Sequence, residues 1–280
     1  MASRVARILA AALCTASVAA TSPASAFASQ HLLEVLTGSN VNRLVAGHPR
    51  LRGFFDHRRV YPLGNPAADQ IQARGVPRAR PTLIYQSYAR FAADVAGGRI
   101  DRRIQAVAYD PEHWSLTPVG EQQAPVTYMR RFANLARAHG FRVLLAPARD
   151  LMVVGRARCH AAAGERLDHA YLRCRIPAAA AADANIVEVQ SQADEFQLRR
   201  FRRLLERTAA QARAVNPSVR ILAGISTHPP TGAAHLETMV RAAQAAEKRV
   251  DGLWVNVFSD HPAQRRLGGR FFRWLQLHRH

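Results

Sequence analysis

Beyond about residue 80 the chain alternates short apolar runs with longer stretches whose apolar residues recur every third or fourth position. Residues 82–88 read as a strand bounded by Pro81, and residues 104–109 as a second. Residues 141–146, 186–192, 220–227 and 252–258 supply four more. Between them lie amphipathic segments. Phe91, Ala92 and Val95 mark one that Gly97-Gly98 ends. Met129, Phe132, Leu135 and Ala136 mark the buried face of another, over residues 125–139, stopped by Gly140. Residues 194–215 form a long helix broken at Asn216-Pro217, and residues 235–249 form the next. Residues 149–183 are a long connection.

Strands alternating with helices of this length predict parallel β-α units, and hence an α/β fold of the (β/α) TIM-barrel type. A closed barrel needs about eight strands. Residues 27–80 must therefore supply one or two irregular ones, or the barrel stays incomplete. This segment is expected to pack on a core formed by residues 81–262. Residues 263–280 form a basic amphipathic tail whose Phe271, Phe272, Trp274 and Leu275 suit docking on the barrel's outside.

Strand alternation sorts the side chains. Helices coat a barrel, so the apolar side of each strand faces outward and the opposite side faces the interior. Around residue 188 the outward pair is Val187 and Val189, which leaves Glu188, Gln190 and Gln192 pointing into the barrel and its mouth. A polar row inside a core is costly unless paired or wetted by a pocket. Ala106, Ala108 and Asp110 share one side of the second strand, with Glu112 two residues on. Trp254, Asn256 and Phe258 share one side of the last.

The chain's start changes the picture of where it works. Arg4 and Arg7, an apolar stretch from Ile8 to Ala20, and Ala24-Ser25-Ala26 make a secretory signal peptide over residues 1–26, cleaved near Ala26. The apolar stretch is too short for a permanent transmembrane anchor. The roughly 250 residues left suit a single barrel, expected to be monomeric. Cleavage removes Cys14, so Cys159 and Cys174 remain, most simply as a disulfide in an oxidising compartment. A metal site or a reactive thiol are the competing readings of that pair.

The chain has 39 basic side chains against 20 acidic ones and a formal net charge of +19. Lys248 is its only lysine. Such a surface attracts anionic partners. The expected partner is a carbohydrate or an anionic cell-surface polymer. No recognition helix, RNP-like motif or aromatic-arginine platform points to specific nucleic-acid binding.

Candidate chemistry concentrates at Tyr109-Asp110-Pro111-Glu112-His113-Trp114, where a buried strand leaves the sheet. Parallel barrels carry their chemistry at the carboxyl ends of strands. Two carboxyl groups flanking a glycosidic bond can act as general acid and as base or nucleophile. Asp110 and Glu112 are the expected acid/base pair. Glu112 should be raised by a low-dielectric site against Trp114, and Glu188 should stay ionised among glutamines as a stabiliser. Trp114, Gln190, Gln192, Ser226, Trp254 and Asn256 are the expected substrate-holding residues. Structural roles compete with these: acids paired with arginine, Arg149 being a ready partner, or a closed hydrogen-bonded network. No Gly-x-Ser-x-Gly elbow and no Gly-rich phosphate cradle occurs. No metal and no cofactor is expected; Asp110, Glu112, His113 and His228 could meet at the mouth, but no helical His-Glu-x-x-His supports a metal.

Tyr109-Asp110-Pro111-Glu112-x-Trp114, Thr117-Pro118, Glu121-Gln122 and Pro125 resemble a group of secreted actinobacterial proteins. So do Val189-Gln190-x-Gln192, Ala223-Gly224-x-Ser226-Thr227 and Trp254-Val255-Asn256. The likeness spans roughly residues 80–260; it implies secretion and brings no activity with it. More loosely the layout resembles glycoside-hydrolase barrels, including chitinase-like ones with an i, i+2 acid pair and a tryptophan on a late strand. The chain lacks their Asp-Gly-x-Asp-x-Asp-x-Glu run. The resemblance implies a glycosidase-like hydrolase, with a non-catalytic glycan-binding barrel as the alternative.

Overall fold

The computed structural model describes residues 33–68, 70–71, 75–154, 159–230, 232–258 and 261–278. The expected signal segment lies outside them. Eight parallel strands are present among the described residues: β1 (Leu33–Thr37), β2 (Val60–Gly64), β3 (Thr82–Tyr85), β4 (Ala106–Tyr109), β5 (Arg142–Leu145), β6 (Ile186–Val189), β7 (Arg220–Ser226) and β8 (Gly252–Asn256). Each pairs with the next, and β8 pairs back onto β1, which closes the barrel.

The longer helices are α1 (Gly38–Gly47), α2 (Arg52–Phe55), α3 (Tyr88–Ala96), α4 (Val119–Gln123) and α5 (Pro125–Ala138), followed by α6 (Leu167–Arg173), α7 (Ile176–Asp183), α8 (Leu198–Val215), α9 (Leu236–Glu247) and α10 (Pro262–Leu277). The six strands expected after residue 80 are all found, each shorter than its apolar run. The two that close the barrel, β1 and β2, come from residues 27–80. That stretch is therefore part of the cylinder wall, and the barrel begins before residue 81.

Strand alternation produces two separate cores. Outward residues such as Val107, Val143, Val187, Ile221 and Leu253 pack with Phe91, Phe132, Leu205 and Met239 of the surrounding helices. Each such fully buried side chain contributes roughly 2 kcal/mol by removal from water. The interior is a second, smaller cluster of Tyr61, Leu63, Ala106, Ala108, Leu144, Ala146, Ile186, Leu222 and Trp254. Three alanines leave room there for Tyr61 and Trp254, so the cylinder's interior is filled by side chains.

The basic tail docks as expected. Helix α10 buries Phe271, Phe272 and Leu275. The Phe272 ring lies 5.0 Å from Phe55 and 5.9 Å from Phe54 of α2.

The expected Cys159–Cys174 disulfide is not formed. The two thiols are neighbours joined by a hydrogen bond. Burial, and then that bond, push the Cys174 thiol up to about 12.

Candidate active site

Asp110, Gln190, Ser226 and Asn256 each stand at or just beyond the carboxyl end of a strand, on β4, β6, β7 and β8. They line one open cavity of about 1010 Å³, together with Glu112, Trp114, Glu188, Gln192 and Trp254. Every expected site residue therefore meets in one mouth.

The β4 loop is held by a scaffold that uses much of its own motif. Thr117 Oγ1 donates to the Gln86 carbonyl at 2.9 Å and accepts from Trp114 Nε1 at 3.1 Å and from the Glu112 amide at 3.2 Å. Gln122 Nε2 donates to the carbonyls of Trp114 and Thr117, at 2.7 and 2.6 Å. Buried Glu121 accepts from the Tyr109 hydroxyl at 2.7 Å and from the amides of Tyr88 and Ala89 at 2.7 and 3.0 Å. A carboxylate is well placed there, because the first amides of α3 are otherwise unpaired and the helix dipole favours an anion. Glu121 and Gln122 thus hold the loop, and Asp110 and Glu112 are what the loop presents.

Gln190 ties the presented acids together. Its Nε2 donates to Asp110 Oδ1 at 2.7 Å, Glu112 Oε1 at 3.1 Å and the Ala146 carbonyl at 3.1 Å. Two carboxyl oxygens on one nitrogen stand no more than about 6 Å apart. Below them Glu188 is nearly fully buried and accepts from Gln192 Nε2 at 3.4 Å. Gly224 on the facing β7 makes this possible: a Cβ there would strike Glu188 Oε1 and come within 2.6 Å of the Gln192 amide. On β8 the Trp254 indole donates to Asn256 Oδ1 at 2.8 Å, which fixes the amide at the rim.

The electrostatics follow from burial among like charges. Asp110 is raised well above the usual carboxylate range by burial and then by Glu112. Glu112 is raised to about 7 by burial and then by Asp150. Trp114, 38% exposed, lines the cavity with Glu112, and Asp150 adds a like charge to the desolvation. Glu188 is also raised, first by burial and then by Asp110 and Glu112. This reverses the expectation that it stays ionised: the single Gln192 amide is too weak a substitute for water around a buried carboxylate.

Arg149, the expected partner of these acids, is taken elsewhere. It pairs with buried Asp194 at 2.7 Å, and Arg200 reaches the same aspartate at 2.8 Å. Among the described residues no ion pair is made by Asp110, Glu112 or Glu188. Nor does any set of three His, Cys, Asp or Glu side chains converge to hold a metal ion.

Asp150, His228 and Phe258 also line the cavity. Asp150 had no assigned role in the sequence, although it follows the Pro147 that ends the β5 run. Its carboxylate accepts from the His113 amide at 3.1 Å and faces Glu112. The His228 ring meets Phe258 edge-on at 5.6 Å, forming an exposed aromatic corner.

No model of a known family matches the chain, and no curated protein matches it. Among solved structures it is similar to a glycoside hydrolase family 17 β-1,3-glucanosyltransferase from Rhizomucor miehei, with a TM-score of 0.48 and 11% identity over 84% of this chain and 90% of that one. It is similar to a chitinase from Chromobacterium violaceum, with a TM-score of 0.46 and 12% identity over 86% and 99%. A sugar phosphate isomerase/epimerase from Parabacteroides distasonis gives 0.45 and 12% over 93% and 98%. What these proteins share with the chain is the barrel, which its own strand pairing already displays.

Proposed function

We propose that the chain is a glycosidase-like hydrolase acting outside the cell on a polysaccharide, with the barrel mouth as its active site. The observation that carries this reading is the convergence of Asp110, Glu112 and Glu188 in one open cavity where, among the described residues, none of the three makes an ion pair. A general acid must hold a proton near neutral pH, and burial raises Glu112 to about 7.

Glu112 donates its proton to the glycosidic oxygen as the bond to the ring carbon breaks. Asp110, held beside it by Gln190, stabilises in its ionised form the positive charge that develops on the ring, so turnover needs Asp110 and Glu112 to carry one proton between them. Water then adds to that carbon and gives a proton back to Glu112. Glu188, carrying its own proton, acts as a neutral hydrogen-bonding floor. Trp114, Trp254 and Phe258 offer flat apolar faces to sugar rings, and Asn256, Gln192 and Ser226 offer fixed polar contacts.

A second reading has one observation in its favour. Gln190 satisfies both acids from within the protein, as a static glycan-binding mouth would require. Glu112→Gln separates the two. The hydrolase reading predicts that turnover of soluble polysaccharides falls roughly 10²- to 10⁴-fold while glycan binding persists. A wild-type protein that binds glycans without releasing reducing ends contradicts it.

A further inference from the structure

Helix α8 is amphipathic: Phe201, Leu204, Leu205 and Ala209 are buried, and the opposite side carries arginine. Arg199, Arg203 and Arg207 lie four residues apart on that exposed side, so they form one row. The row does not lie on open surface. It lines a groove of about 740 Å³ beside α6, whose far side is formed by Arg166, His169 and Leu172.

Among the described residues Asp168 is the only carboxylate lining the groove, and Arg166 takes it at 2.7 Å. Arg200, also in the groove, is taken by Asp194. No acid within the described structure pairs with Arg199, Arg203 or Arg207. Three unpaired guanidinium groups along a concave wall make an anion site, because each can fork onto a carboxylate or sulfate.

The groove adjoins the barrel mouth, since Arg166 and Arg200 line both cavities. We propose that this α6–α8 groove binds the anionic substituents of an extended polysaccharide whose neighbouring unit occupies the mouth, so that the substrate class is a charged glycan. The proposal rests on the reading of the mouth as a glycan site. Successive arginines rise about 6 Å along the helix axis, comparable to one sugar unit of an extended chain. The groove's apolar lining is leucine, and among the described residues His169 is its one ring, short of the series of aromatic faces on which successive nucleic-acid bases stack. A concave wall also fits a strand better than it fits a flat lipid surface.

The test measures binding by Glu112→Gln protein, so that turnover plays no part. The probes are polygalacturonate against its methyl ester, and dextran sulfate against dextran. The expected result is preference for at least one charged polymer over its neutral form by at least about tenfold at low salt, shrinking as salt is added. R199Q/R203Q/R207Q should remove that preference, and R58Q/R102Q/R270Q, an equal loss of charge outside the groove, should keep it.

Equal losses in the two triple variants would overturn the proposal in favour of a diffuse basic surface. So would unchanged binding in the groove variant, or groove-dependent binding of single-stranded DNA or anionic vesicles in preference to both polymers. Groove-dependent polymer binding by a protein that hydrolyses no glycan would defeat the hydrolase reading alone. A working hydrolase indifferent to substrate charge would defeat the groove alone.

Discussion

Acids in the barrel mouth and the buried, arginine-paired aspartates Asp94, Asp194 and Asp251 meet opposite fates. Asp94 on α3 is nearly fully buried, yet Arg99 and Arg90 reach it at 2.8 and 3.1 Å. Burial pushes its carboxyl up, and the two guanidinium groups together hold it below the usual range. Asp251, just before β8, takes Arg213 and Arg220 at 3.0 and 3.1 Å. In the mouth, equally buried acids meet glutamine and one another, and are raised. With almost twice as many basic as acidic side chains in the sequence, an acid without an arginine is the exception that needs explaining. Asp194 is the hinge of the comparison, because it holds Arg149 and Arg200 in the wall of the mouth and away from Glu112.

The comparison breaks most visibly at that hinge. Asp194→Ala strands two cations in the wall and should cost roughly 3–5 kcal/mol of stability in chemical denaturation. Asp194→Asn is milder, and should lower the Glu112 pKa as Arg149 turns toward the mouth. Asp110→Asn, by contrast, removes a buried acid that has no counter-ion. It should leave stability unchanged or higher at pH 8 while abolishing turnover. If it instead unfolds the protein as Asp194→Ala does, the two classes of acid are not distinct.

Gly224→Ala should come next, costing about 1–3 kcal/mol by overpacking and displacing Glu188 and Gln192. Its diagnostic is a loss of turnover at temperatures where the barrel remains folded by circular dichroism. An alanine variant with full turnover would show that the close approach of β7 to Glu188 is not needed.

The smallest expected effect concerns Glu195, just beyond the 3-10 turn that follows β6. Its Oε1 accepts from the Ser226 amide and its Oε2 is buried with no partner. Burial raises it to about 9. A carboxyl raised in the folded state binds its proton more tightly there than when unfolded. Stability should therefore be greatest below the unfolded value near 4.5 and fall as pH rises toward about 9. Glu195→Gln keeps an acceptor for Ser226 and removes the titration. It should raise stability at pH 9 by roughly 1–2 kcal/mol and flatten the pH dependence between pH 5 and 9. An unchanged profile in denaturant titrations would refute this.

Much of the mouth was legible because strand alternation is a strict two-residue period. Once Val187 and Val189 were assigned to the helix side, Glu188, Gln190 and Gln192 had to face inward, and they do. The same logic placed Asp110 above Ala106 and Ala108, and Trp254 with Asn256. What period-two reasoning misses is pairing across the fold. Arg149 is close in sequence to a third strand end, but whether it meets Glu112 or Asp194 depends on the loop after β6, which no local pattern encodes. Closure of the barrel by β1 and β2 was similarly hidden. Val60–Gly64 contains Pro62 and ends in glycine, and a short strand paired on both sides needs little propensity of its own. Glu121 was read within a motif with no role attached, and its partnership with α3 emerges only when β4 and α3 lie side by side.

The central claim is that burial holds protons on the mouth acids near neutrality because none of them forms an ion pair among the described residues. A carbon-13 NMR titration of the Glu112 side-chain carboxyl tests it directly. The predicted midpoint is about 7, moving down in Asp194→Asn. A midpoint near 4.5 in the wild-type protein would contradict the account.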